Sequence, residues 1–281
     1  MPQLFAPPPK EYVSRNLIRQ LERIETLPPK MSGVYLVRDQ QDICGAIYID
    51  RGQLCWAMAL GMERRLTELL CASDDGRLHP QTLQRVYRHC KEARAPLGET
   101  LIKLQLVSSE GLREALVRQT VESLLQLSPF LKQEPGWVAH DEGTYHPQFS
   151  FGVVEAASWV GGLLHERARA HASRELKSMV PAGCFAAGFV WPETDMDYFP
   201  VFALCGADRT IATALDLGRF SHNQLQLGEA VSKKCNAVVG LGGNGHAVVT
   251  WVFDSGYCAV VCESTSQMAR LLSNLSRKRG E

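Results

Sequence analysis

Ala237-Val-Val-Gly-Leu241, Gly242-Gly-Asn-Gly245, His246-Ala-Val-Val-Thr-Trp-Val-Phe253, Asp254-Ser255-Gly256 and Tyr257-Cys-Ala-Val-Val-Cys262 follow one another near the end of this chain. The apolar runs are rich in β-branched and aromatic residues and predict three strands. The glycine-containing joins are too short for a crossover, so both predict hairpins. Gly240-Leu-Gly242-Gly243-Asn-Gly245 also matches the spacing GxGxxG. A dinucleotide fingerprint needs a helix directly after it, whose N-terminal amides hold pyrophosphate, and a run such as Val248-Val-Thr-Trp-Val252 predicts a strand instead.

Working backwards, a helix ends near Met179, strands cover Cys184 to Val190 and Tyr198 to Cys205, and a helical region lies between Asp208 and Lys234. Working forwards, Met268, Leu271, Leu272 and Leu275 form one face of a closing helix, with Ser264 and Gln267 as its capping box. Ser221 and Gln224 have the same spacing and predict a second cap. The result is an α+β domain over 161–281 with a five-stranded antiparallel sheet flanked by helices.

The order helix, two strands, helix, three strands, helix, with Ala186-Ala-Gly-Phe-Val190 opening the sheet and Ser266-Gln-Met-Ala-Arg-Leu-Leu272 in the last helix, resembles the roadblock/dynein-light-chain family. The resemblance implies a profilin-like sheet and homodimers that join edge strands. In bacteria it implies association with Ras-like small GTPases. Ala237, Val238 and Val239 are the expected dimer edge strand, since an apolar edge leaves backbone donors and acceptors unpaired. Gln224, Glu229 and Lys233, on the helix from Ser221 to Lys234, are the expected exposed partner-binding residues.

The first part of the chain reads differently. Residues 1–9, with three successive prolines and neither a charged nor a long apolar region, predict a disordered tail. Val13, Leu17, Leu21 and Ile24 recur at helical spacing before Pro28-Pro29. Strands then cover Gly33 to Arg38, Ile43 to Ile49 and Gln53 to Ala57 as an antiparallel meander, followed by a helix from Glu63 to Cys71. Strand character returns at Gly136 to His140 and around Tyr145 to Phe151. The domain is expected over 10–160 with a helical insert at 78–130, and a further helix runs from Val154 to His171. Gly45-Ala-Ile-Tyr-Ile-Asp-Arg-Gly52, Leu54-Cys-Trp-Ala57, Glu142-Gly143 and Phe149-Ser-Phe151 resemble the N-terminal domain of PatA-like bacterial regulators, which implies a signalling context and no particular chemistry.

Inside the insert, Leu97-Gly98-Glu-Thr-Leu101-Ile102, Val107, Leu112, Leu116 and Gln119 resemble the N-terminal domain of type II secretion and pilus-assembly ATPases. Some members of that family bind cyclic di-GMP through two tandem motifs. Leu97, Gly98, Leu101 and Gln119 are therefore the candidates for a cyclic-dinucleotide site. Pro96 stands where the family has arginine and Gln105 where it has glycine, which removes a bidentate donor and a close backbone approach. A leucine-packed helical bundle is the plainer expectation.

Composition narrows the rest. The 281 residues fit about two domains at roughly 100–200 residues each. Thirty basic residues balance thirty acidic ones without a long run of either sign, so nucleic-acid binding is not expected. Nor is membrane insertion, because the longest apolar stretch, Phe149 to Leu164, contains Glu155 and falls short of the roughly 20 residues of a membrane span. Arg277-Lys278-Arg279 reads as a solvated helix end that complements the helix dipole. Nine scattered cysteines suit a reducing cytoplasm, and Cys258 and Cys262, four residues apart on one strand, are too far apart to share a zinc ion. His165 and His171 lack the spacing for a shared metal, Trp56, Trp137 and Trp251 read as core, and neither a GxSxG elbow nor a phosphate loop occurs. No cofactor, metal or catalytic residue is expected. Together with this, the resemblances imply a non-enzymatic, homodimeric bacterial signalling adaptor, with a cyclic di-GMP receptor as the alternative.

Overall fold

The computed structural model describes residues 15–61, 66–72, 78–132, 134–140, 149–192, 199–204, 210–231, 237–243 and 246–280. The chain divides into two compact units, one over Ser14–Phe151 and one from Gly152 to the C-terminus. This division precedes the expected boundary at 160/161, which falls inside a helix. Among the described residues no helix is long and apolar enough to cross a membrane.

The first unit opens with α1 (Arg15–Glu25), which buries Leu17, Leu21 and Ile24 completely. Strands β1 (Gly33–Asp39), β2 (Asp42–Asp50) and β3 (Gln53–Ala59) form the meander, and β4 (Gly136–Ala139) returns antiparallel to β1, giving the order β3-β2-β1-β4. Arg51 and Gly52 both have positive φ, 51° and 71°, as a tight two-residue hairpin between twisted strands demands. The expected strand near Tyr145 lies outside the described residues up to position 148, and Phe151 makes a single antiparallel bridge to Leu54.

Between β3 and β4 stand α2 (Leu66–Ala72), α3 (Pro80–Ala93), α4 (Leu97–Lys103) and α5 (Ser109–Leu127). Ser108 caps α5 by accepting from the Gly111 amide at 3.0 Å. Leu69, Leu70, Leu78, Leu83, Leu101, Leu112 and Ala115 share one apolar cluster, so the bundle has a core of its own. Yet α5 also packs on β3 and β2, and most of its length is buried on more than one side. The insert thus supplies the helix that covers the sheet.

In the second unit, α6 (Val153–Leu164) and α7 (Glu166–Met179) replace the single helix expected over Val154–His171. The chain breaks at His165, with φ −140° and ψ 58°. Arg169 returns from α7 over the Trp159 ring, 3.6 Å from its centroid, and donates to the carbonyls of Ser158 and Val201. Gly161 and Gly162 allow α6 to approach the Pro200–Val201 backbone, where a Cβ at Gly161 would lie 2.4 Å from the Pro200 oxygen.

Strands β5 (Phe185–Val190), β6 (Phe202–Leu204), β7 (Ala237–Leu241), β8 (Ala247–Phe253) and β9 (Gly256–Cys262) form one antiparallel sheet in the order β6-β5-β9-β8-β7. The fold is mixed α+β, and the helix excluded after the glycine-rich turn is replaced by β8. Helices α7 and α9 (Thr265–Gly280) share one core cluster with Ala186, Val249, Trp251, Cys258, Val260 and Cys262. Each large aliphatic side chain buried there contributes about 1.5–3 kcal/mol. Helix α8 (Ile211–Val231) packs on β7, β8, β9 and β5, and the Tyr257 hydroxyl, buried on the other side of the sheet from Cys258, donates to the Gly218 carbonyl of α8 at 2.9 Å.

The cap of α9 forms as expected at Ser264, whose Oγ accepts from the Gln267 amide, while Gln267 Oε1 accepts from the Glu263 amide at 2.8 Å. The second expected cap does not form. Ser221 and Gln224 lie in the interior of α8, which begins ten residues earlier at Ile211. Nor is the basic end of α9 only solvated, because Lys278 pairs with Glu175 of α7.

Candidate protein-interaction surface

Strand β7 ends the sheet and, among the described residues, pairs only with β8. Its residues alternate between faces. Ala237, Val239 and Leu241 stand opposite Trp251, Val249 and Ala247 on the α7–α9 side, while Val238 and Gly240 face α8. Val239 is 39% exposed and Leu241 78%. The expected edge residues Ala237, Val238 and Val239 thus do lie at a sheet edge, and Leu241 extends the apolar row beyond them.

Helix α8 borders that edge. Gln224 covers Gly240, and Phe220 and Leu227 stand four residues before and three after it, so they share its side of the helix. Phe220 is 46% exposed and Leu227 69%. The outer edge of β7 and an apolar helix flank therefore lie side by side. The sequence reading missed Phe220, Leu227 and Leu241, although the seven-residue spacing of Phe220 and Leu227 marks one helix face.

The expected partner-binding residues separate. Gln224 is half-buried with its Oε1 enclosed, so it is not the exposed side chain expected. Glu229 is exposed, but on the opposite flank of α8, where its charge reaches His222. Lys233 lies outside the described residues. On that flank His222 stacks on Tyr257 at 6.2 Å, and Trp191 meets both rings. Burial pushes the His222 pKa below its ordinary 6.5, and Glu229 partly opposes this.

The layer between α8 and the sheet is polar in part. Ser221 and Thr250 are fully buried, and their hydroxyls, like Gln224 Oε1, meet no hydrogen-bond partner among the described residues.

The cyclic-dinucleotide candidates occupy packed positions. Leu101 belongs to the bundle core and the partly buried Leu97 packs against it, and a Cβ at Gly98 would lie 2.8 Å from Leu112 Cδ2, so this glycine lets α4 approach α5. Gln119 is buried in α5 outside that cluster. Gln105 holds φ 55°, so the left-handed turn that glycine favours is kept without glycine. Among the described residues no three His, Cys, Asp or Glu side chains gather as a metal set.

No protein-family model, no curated protein and no solved structure matches the chain significantly.

Proposed function

We propose that this chain is a non-enzymatic signalling adaptor whose C-terminal unit pairs with a second copy through β7 and presents the resulting dimer to a protein partner, a Ras-like small GTPase. The observation that carries the reading is an open strand edge bordered by exposed apolar side chains on both faces of the sheet, Val239 and Leu241 on the α7–α9 face and Phe220 and Leu227 of α8 on the other. Edge pairing would engage backbone groups of β7 that point away from β8, and burial of the four apolar side chains would add about 25 cal/mol per Å² removed from water. The element order of the unit, which resembles the roadblock family, supports the choice of partner. Such an adaptor acts by binding one nucleotide state of the GTPase more tightly than the other.

Light scattering on the full chain tests the first step. The parent protein runs as a dimer, and the double variant Leu227→Lys/Leu241→Lys runs as a monomer with an unchanged far-ultraviolet spectrum. A monomeric parent at micromolar concentration overturns the reading. Affinity capture from the native cytoplasm tests the second step: recovery of a Ras-like GTPase supports the partner, and repeated recovery of none removes it. The cyclic di-GMP reading has no comparable support, since Gly98 and Leu101 serve packing.

A further inference from the structure

Strand pairing brings together two cysteines that are 78 positions apart in sequence. In the β5–β9 pair Phe185 stands opposite Val261, and continuing that register by one residue sets Cys184 opposite Cys262. The Cys184 amide donates to the Pro181 carbonyl rather than across to β9. That is the arrangement of a non-hydrogen-bonded pair, in which facing side chains come closest and Cα atoms lie about 4.5 Å apart, inside the range a disulfide accepts. Both side chains belong to the same buried cluster, and each thiol is close enough to perturb the titration of the other. Cys258 faces Gly188 and so has no cysteine opposite it on β5.

We infer that Cys184 and Cys262 form a dithiol site that closes to a disulfide by exchange with a small disulfide such as oxidised glutathione. Cys184 is the attacking group, because it lies just before the start of β5 and is 5% exposed, whereas Cys262 is 0% exposed. Its thiolate attacks one sulfur of the small disulfide and releases the first glutathione as a thiol. Cys262 then attacks the Cys184 sulfur, and its proton passes to the departing sulfur, so that the second glutathione leaves as a thiol. One S–S bond forms in the protein, two S–H bonds are lost, and the glutathione disulfide is reduced to two thiols. Burial raises both thiols, Cys262 to about 11, so the resting form at neutral pH is the dithiol and exchange accelerates as pH rises.

The full chain incubated with oxidised glutathione at mildly alkaline pH tests this, with intact mass and fragment sequencing as the readouts. The expected result is a loss of one pair of hydrogens per chain, a link mapped to Cys184 and Cys262, and reversal by dithiothreitol. Cys184→Ser and Cys262→Ser each remove the link, whereas Cys258→Ser keeps it. A parent protein in which excess oxidant leaves Cys184 and Cys262 as free thiols, or joins either to a different cysteine, overturns the inference without recourse to any variant.

Discussion

The Gln224 side chain lies directly over Gly240: a Cβ built on Gly240 would fall 2.1 Å from Gln224 Nε2. The missing side chain in β7 and the long one in α8 are therefore complementary, and they fix how closely the helix approaches the edge strand. Gly240→Ala alone is expected to destabilise the protein by about 1 kcal/mol, because the amide must leave its seat. In a Gln224→Ala background the same change becomes neutral or stabilising, since alanine lowers the entropy of the unfolded chain. Urea unfolding of the four proteins measures the coupling, and equal effects in both backgrounds would falsify this account.

Thr250 sets a second test. Its hydroxyl is buried against α8 without a partner among the described residues. Thr250→Val keeps the shape and removes the polar atom, so stability should rise by about 1 kcal/mol. A fall of that size would show that the hydroxyl is hydrogen-bonded in solution.

Gln105 holds a left-handed backbone conformation at φ 55° after α4. For a residue with a Cβ this costs roughly 1–2 kcal/mol, which glycine avoids. Gln105→Gly is expected to raise the unfolding midpoint without altering the denaturant slope. An unchanged or lower midpoint would mean that the glutamine side chain offsets the strain.

His222 gives the protein a pH dependence of known sign. Burial beside Tyr257 and Trp191 lowers its pKa in the folded state, Gln226 lies within hydrogen-bonding reach, and the nearby Glu229 charge partly restores it. The unfolded chain therefore binds a proton at higher pH than the folded one. The contribution is fully present above the ordinary value of 6.5 and is lost as pH falls from there through the lowered folded value. Thermal unfolding followed between pH 7 and pH 5 should show a decline that His222→Phe reduces; an identical decline in the variant assigns it to other groups.

Much of the fold was legible because its signals are local. Apolar runs rich in β-branched and aromatic residues and joined by short glycine-containing turns located β7, β8 and β9, and the capping box at Ser264 located the start of α9. The cap read at Ser221 failed because the same spacing occurs inside a longer helix, whose true start at Ile211 follows Thr210, a side chain that accepts from the Thr213 amide. The break at His165 was hidden as well. Val154 to His171 has helical character throughout, and the turn is set by how Arg169 and Pro200–Val201 pack on Gly161 and Gly162.

The candidate surface was half visible. An apolar strand such as Ala237-Val-Val239 can be recognised from sequence, but whether it ends the sheet depends on which strands lie beside it.

By itself, the sequence determined the identity and succession of the secondary elements from β5 to α9, because backbone preferences and residue composition act over a few neighbouring residues. Tertiary structure alone decided that β7 is an edge, that α5 serves both the insert and the sheet, and that Cys184 faces Cys262. Each of these depends on contacts between segments far apart in the chain, and such contacts are fixed only when apolar faces are buried together in a particular strand order and register.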